Sequence, residues 1–262
     1  GSMLAALLWD VDGTLAETER DGHRVAFNQA FEALGLRWHW DHERYGRLLR
    51  VTGGRERLLA AMAEERDAPP TPAERQALAR KLHDTKNHCY ARLVYEGGIA
   101  LRGGVAPLIH EARAQGVRQA IVTTTSRANV ETLLARQLGP AWADMFDAVL
   151  CGEDVRAKKP DPEVYLLALR ALRLQPRQAR ARGDWAPGAS RAQAAGVPVL
   201  VTRSVYFPAD PVEPALAVGP GLHTREGWSP APPPRRSARI TLQDLASWHA
   251  HAEAGAAATA RS

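Results

Sequence analysis

Cysteine is nearly absent, with Cys89 and Cys151 the two in 262 residues. They lie far apart and form no metal-type spacing, so the sequence predicts two reduced thiols and a chain that folds without disulfide staples. Long hydrophobic runs are also missing. The first apolar run, ending at Trp9, is too short for a membrane span and lacks the basic flank of a secretion signal. Gly1-Ser2 ahead of Met3 reads as a cloning scar. A soluble, cytoplasmic protein is expected, with no membrane partner. Blocks of one charge are absent too. Lys plus Arg exceed Asp plus Glu by 34 to 29, a net charge of +5, but the arginines are scattered among Ala and Glu without aromatic interleaving. That argues against a nucleic-acid footprint, while a mildly basic field favours small anionic substrates.

What is present is a chain long enough for a large buried interior. From Val105 onward apolar runs alternate with helical patterns: "RQAIVTTT", "ANVETLLARQLG", "FDAVLCG", "PEVYLLALRALRL", "ASRAQAAG", "VPVLVT". This alternation predicts an α/β fold, a doubly wound parallel Rossmann-like sheet. Asp161-Pro162 should open one helix, and Gly116, Gly139 and Gly196 sit where helices should stop. Between Glu19 and Gly98 the pattern is helical only: Phe27, Phe31 and Leu34 share a face ending at Gly35, and "AERQALARKLHDTKNHCYARLV" reads as one long helix. The expected division is a discontinuous core of residues 1–18 and 99–249 with a helical cap, 19–98, inserted after the first strand. Its hinges would be Glu17–Glu19 and Glu96–Gly98, and it would lie over the carboxyl ends of the strands as a lid. Residues 208–237, culminating in "WSPAPPPRRS", should form an irregular, exposed segment. "ITLQDLASWHAHA" could dock as a helix with Thr241 as N-cap, and 250–262 should be disordered.

Four stretches should meet at the carboxyl edge of that sheet. In "LLWDVDGTLAETE", Asp10 and Asp12 are separated by Val11, a two-residue period that points both carboxylates the same way if the strand runs straight. Gly13 permits a sharp turn after them. Two close carboxylates repel unless a cation or a shared proton relieves them, which implies Mg²⁺ or acid/base work. "AIVTTTS" releases hydroxyls at Thr123, Thr124 and Thr125 from a strand end. Lysine is scarce, four against thirty arginines, so the adjacent Lys158 and Lys159 in "RAKKPDPEVY" suggest a point charge chosen for phosphate, although an isolated pair would by default be a solvated one. "RGDWAPG" puts Asp184 directly after a short predicted strand.

In this order and spacing the four stretches resemble the haloacid dehalogenase superfamily of phosphohydrolases, from the start of the chain to about Phe207. "ETERDGHRVAFNQAF", "YGRLLRVTGGRERL" and "KKPDPEVY" are similar to the Rubisco-associated xylulose-1,5-bisphosphate phosphatases of the Calvin cycle, which are themselves similar to β-phosphoglucomutase. The resemblance implies a nucleophile, Asp10, that forms an aspartyl-phosphate, and an acid/base, Asp12, able to carry a proton near neutral pH. It implies that Thr123 and the Thr124 backbone hold the phosphoryl oxygens, that Lys159 neutralises developing charge, and that Asp10, the Asp12 carbonyl and Asp184 bind Mg²⁺. "TGGRER" is similar to the substrate loop of that family. Gly53-Gly54 would let backbone approach the sugar and Arg55 would grip a second phosphate with its forked donors. Arg50 and Tyr45 are further candidates, and Glu17 and His23 sit where the family contacts the sugar. His39 and His42, beside Trp38 and Trp40, read as packing or surface residues.

The last motif departs from the resembling proteins. They carry Glu-Asp-Ser after an apolar strand, whereas this chain has Gly183-Asp184-Trp185 after "ARAR", so one acidic group near the metal is missing. Gly103 in "LRGGV" stands where the family usually has Pro. The expectation is a monomeric, Mg²⁺-dependent phosphatase of a small sugar (bis)phosphate, plausibly xylulose 1,5-bisphosphate. The rivals are a sugar phosphomutase and a catalytically weak sugar-phosphate-binding protein. Dehalogenation is disfavoured because Asp12 has no task in it.

Overall fold

The computed structural model describes residues 4–156, 163–174, 179–183, 199–202 and 217–261. Strand β1 (Ala6–Trp9) is buried along its whole length, the mark of a strand covered on both faces. It lies at the centre of a six-stranded sheet with β2 (Arg118–Val122), β3 (Ala148–Leu150), β4 (Ala179–Gly183), β5 (Val199–Thr202) and β6 (Ala217–Gly219), in the order β3-β2-β1-β4-β5-β6. Every pairing is parallel, so the doubly wound sheet is as expected. Helices α5 (Val105–Ala114) and α6 (Arg127–Leu138) pack in a cluster that includes Leu7, Trp9 and Ile121, while α7 (Glu163–Leu172) covers Ala6, Leu8, Ala120 and Val122 on the other face. Trp9 enters this core with its polar atom satisfied: Nε1 donates to Gln119 Oε1 at 2.8 Å.

Between β1 and α5 the chain is helical, with a π-turn over Glu19–His23 leading into α1 (Arg24–Ala33), then α2 (His42–Leu48), α3 (Gly54–Met62) and α4 (Pro72–Tyr95). Thr71 opens α4 with a reciprocal capping box to Glu74 and Pro72 in the first turn. Phe27, Phe31, Trp38, Trp40, Tyr45, Met62 and Leu82 form a separate core, each large side chain contributing about 1.5–3 kcal/mol on burial. His39 and His42 are exposed beside it. The two crossings between this insertion and the sheet run side by side, Ala16 pairing antiparallel with Leu101.

The C-terminal region corrects two expectations. Residues 220–237 hold no helix, as their prolines require, yet they are not a loose exposed tail. Ser229 pairs antiparallel with Val218 through two hydrogen bonds of 2.9 and 3.0 Å, covering the open edge of β6, and Leu222 and Trp228 are buried. Trp228 packs on Trp248 with ring centroids 5.1 Å apart. The terminal helix α8 (Leu242–Arg261) begins at Thr241, whose Oγ1 accepts from the Asp244 amide, and continues through the residues expected to be disordered. Alanine, which dominates these residues, is the strongest helix former. Among the described residues no helix is long and apolar enough to cross a membrane.

Candidate active site

Strand register carries the acidic pair to the sheet's carboxyl edge. Trp9 is level with Ile121 of β2 and Arg182 of β4, so Asp10 emerges one residue later beside the end of β2 that leads to Thr123. Gly13, at φ +78°, turns the chain back, its amide donating to Ala16 O at 2.8 Å and the Leu15 amide to Val11 O at 2.9 Å. Asp10 Oδ1 accepts from the Val11 amide at 2.8 Å.

The Asp12 carboxylate is held from the hinge and the insertion. Its Oδ1 receives Thr18 Oγ1 at 2.5 Å and lies 2.9 Å from His23 Nε2. His23 is 4 % exposed and stacks flat on Tyr90 of α4, centroids 4.2 Å apart. The π-turn, a feature frequent at functional sites, delivers both Glu19 and His23 to this place. Glu19 Oε1 accepts from Tyr45 Oη at 3.0 Å, and Lys86 Nζ of α4 sits over the Phe27 and Tyr90 rings at 4.9 and 5.5 Å.

Burial and charge set the protonation of this group. Burial alone would push the Asp12 carboxyl up, but its interaction and hydrogen bond with His23, the Thr18 hydroxyl and the Lys86 charge together outweigh it and leave it at about 2. Burial, then the Asp12 charge, pushes Glu19 up. Burial also pulls the Lys86 ammonium down to about 8, against Glu19 and Asp12, which hold it up. These contacts favour the charged form of Asp12 in this arrangement. It gains a proton donor's character only away from Thr18 and His23.

Just past β2, Thr123 is buried, with its Oγ1 accepting from the Thr125 amide at 3.2 Å, and Thr124 beside it is half-exposed. Ser126 then caps α6, accepting from the Asn129 amide. Strand, hydroxyl-bearing turn and helix N-terminus together form an anion-binding geometry. The "CGED" turn supports it: Gly152 donates to Thr125 O at 2.8 Å, and a side chain at 152 would meet Thr124 O. Glu153 accepts from the Arg127 amide at 3.0 Å.

The other expected residues are distributed unevenly. Glu17 lies 3.9 Å from the Arg102 guanidinium. Arg50 and Arg55 are exposed, the latter in the first turn of α3. The buried arginine of that loop is Arg57, which donates to Leu48 O and Val51 O at 3.1 and 3.0 Å and closes the end of α2. Gly53 takes φ +95° ahead of α3, and Gly54 has a packing reason, since a Cβ there would sit 2.8 Å from the His83 ring. Lys158, Lys159, Asp161, Asp184 and Trp185 lie outside the described residues.

Thr18, Glu19, Lys86 and Tyr90 were not singled out from sequence. Lys86 left a signal: it is another of the four lysines, placed in a long helix where its neighbours Leu82, Cys89 and Tyr90 are apolar.

The Asp10 carboxylate and the Asp12 main-chain carbonyl, both just after the end of β1, are hard oxygen donors of the kind Mg²⁺ takes. A second grouping, Asp12, Glu19 and His23, brings ligand atoms within 4.8 Å of one another. It could hold a metal ion, but its imidazole nitrogen and a carboxyl pushed toward protonation suit Mg²⁺ poorly.

A parallel doubly wound sheet with two aspartates at the end of its central strand and a helical insertion reaching back to the second of them defines a hydrolase of the α/β class. The chain belongs to the haloacid dehalogenase-like hydrolases, whose family model matches residues 4–196, and it is an enzyme of the phosphatase type. It is similar to the protein CbbY of Rhodobacter capsulatus, 44% identical over 207 residues, 79% of this chain and 88% of that one. A plasmid-borne CbbY of Cupriavidus necator is 40% identical over 251 residues, 94% of this chain and 97% of its own. Among solved structures, a variant of CbbY from Rhodobacter sphaeroides in complex with xylulose-1,5-bisphosphate superposes with a TM-score of 0.74 at 41% identity, covering 81% of this chain and 92% of that one.

Proposed function

We propose that the protein is a Mg²⁺-dependent phosphatase that hydrolyses a small sugar bisphosphate of the xylulose 1,5-bisphosphate kind through an aspartyl-phosphate on Asp10. The observation that carries this reading is the different treatment of the two aspartates. Asp10 stands at the strand end beside the anion-binding turn of Thr123 and Thr124, while Asp12 is gripped by Thr18 of the hinge and His23 of the insertion. A fixed nucleophile and a movable acid/base are the two roles that two-step phosphoryl transfer requires.

In the first step an Asp10 carboxylate oxygen attacks phosphorus as the ester P–O bond breaks, and the leaving alcohol takes the proton of Asp12. In the second, Asp12 removes a proton from water as water attacks the phosphoryl group, releasing phosphate and restoring Asp10. Thr18 and His23 hydrogen-bond the Asp12 carboxylate and favour its charged form, so loosening of these contacts would let it take up the proton. Bound through Asp10, the Asp12 carbonyl and Asp184, Mg²⁺ would neutralise charge on the phosphoryl oxygens. Lys159 and the Thr123 turn would supply the remaining electrostatic support. Glu17, His23 and the Gly53–Arg55 loop would face the sugar and its second phosphate. The relatives support the substrate class, since a CbbY binds xylulose 1,5-bisphosphate.

The test is Mg²⁺-dependent release of phosphate across a panel of sugar mono- and bisphosphates, with isomerised sugar phosphate measured in parallel. Release from a ketopentose bisphosphate above all others is expected. Isomerised product without free phosphate would instead make the protein a mutase.

A further inference from the structure

Arg102 joins two parts of the chain that are remote in sequence. Its amide donates to Leu15 O at 2.7 Å, just after the acidic turn. Its guanidinium then forks: Nη1 donates to Gly13 O at 2.6 Å, Nη2 to Pro220 O at 2.8 Å, and Nε lies 3.9 Å from Glu17 Oε1. The side chain is 15 % exposed. Gly13 directly follows Asp12, so the peptide that Nη1 fixes belongs to the turn that orients Asp12.

The second carbonyl reaches Arg102 because the C-terminal segment crosses two glycines at very close range. A Cβ at Gly104 would lie 2.4 Å from Leu222 O, and one at Gly103 would lie 2.8 Å from His223 Cβ. Gly103, which the sequence offered in place of the usual proline, thus has a local reason, and so does the sharp φ of +81° at Gly104. The segment is itself anchored on the core: Ile240 donates to Leu222 O, Arg239 to Glu111 Oε2 at 3.2 Å, and Asp244 is clasped by Arg225 and Arg235.

We infer that Arg102 is a positioning residue for the acidic turn, and that the docked C-terminal segment, through the Pro220 carbonyl, holds its guanidinium onto Gly13 and so completes the scaffold of the active site. A planar fork suits two carbonyls in fixed directions, and a lysine's single ammonium does not. A misplacement of about 1 Å in a reacting group costs on the order of 100-fold in rate. A residue acting through the turn should therefore affect turnover more than substrate binding.

The inference rests on the phosphatase reading for its kinetic readout only. In Arg102→Ala, kcat for the bisphosphate falls about 10–100-fold while KM stays within about twofold, and added millimolar guanidinium restores part of the rate. Amide exchange of residues 13–16 accelerates, and that of α1–α4 does not. Arg102→Lys keeps the charge, loses the fork, and carries the same test should the alanine variant fail to fold. Unchanged kcat and unchanged exchange in Arg102→Lys, or no guanidinium rescue of a folded Arg102→Ala, would each overturn the inference. If the wild type releases no phosphate the functional reading fails, and amide exchange alone then decides the role of Arg102.

Discussion

Replacing Asp244 by alanine removes the carboxylate on which the C-terminal segment closes. Asp244 is 0 % exposed. Both terminal nitrogens of Arg225 donate to it, Arg235 Nε does so at 2.9 Å, and the Thr241 amide and hydroxyl at 2.8 and 3.1 Å. Breaking a buried, hydrogen-bonded charge pair by deleting one partner costs about 3–5 kcal/mol. Here the stranded arginines keep some solvent, with side chains 13 % and 27 % exposed, and Arg225 retains Arg239 O and Pro233 O. The low end therefore applies, about 3 kcal/mol, or a fall in Tm of about 6–12 °C at roughly 2–4 °C per kcal/mol. The loss should depend on pH. Burial tends to raise the Asp244 carboxyl, but bonds from Arg225, Thr241 and Arg235 prevail and hold it below its ordinary 3.8. A depressed folded-state value stabilises the fold above 3.8, and that contribution disappears as the pH falls through the lower folded value. Calorimetric melts of wild type and variant should thus differ by the full amount at neutral pH, and the difference should shrink as the pH falls below 3.8 through the lower folded value. A loss under about 1 kcal/mol at neutral pH, or a difference undiminished in acid, would refute this reasoning.

Three further outcomes follow from the site. Lys86→Met should lower kcat at least about tenfold, because the ammonium facing Glu19 and Asp12 is lost, while melting stays level or rises as a desolvated charge leaves the core; steady-state kinetics with a thermal melt checks both. Arg55→Ala should raise KM for a bisphosphate far more than for a monophosphate, and equal changes would place Arg55 outside the substrate pocket. Gly183→Glu with Trp185→Ser should lower the Mg²⁺ concentration for half-maximal rate by about 10–100-fold, the usual worth of an outer carboxylate at a metal, and a Mg²⁺ titration of activity that is unaltered in the double variant contradicts the alignment of that motif.

Legibility varied with how local the determining forces are. The run through Trp9 is apolar because β1 is covered on both faces, and the two-residue spacing of Asp10 and Asp12 at its end is visible without any partner. Thr71, Glu74 and Pro72 announce the start of α4 within four residues. Lys86 could not be placed this way, because its burial arises from α4 packing over Phe27 and the π-turn, which no local period encodes. Arg57 rather than Arg55 turned inward because the carbonyls at the end of α2 needed a donor. The C-terminal segment misled most. Its prolines forbid regular structure, and the order it has comes from pairs such as Arg225 with Asp244 and Val218 with Ser229, each between residues well separated along the chain. Asp12 was read as able to carry a proton from its expected role, and the contacts of Thr18 and His23 that favour its charged form come from the hinge and the insertion, which no local pattern encodes.

The central claim is that phosphate passes through Asp10. Protein quenched in acid during turnover of a labelled sugar bisphosphate should carry hydroxylamine-labile label on the peptide containing Asp10, and the nearly isosteric Asp10→Asn should carry none and release no phosphate while melting like the wild type. Full turnover by the wild type with no label on that peptide, or substantial phosphate release by Asp10→Asn, would contradict the account.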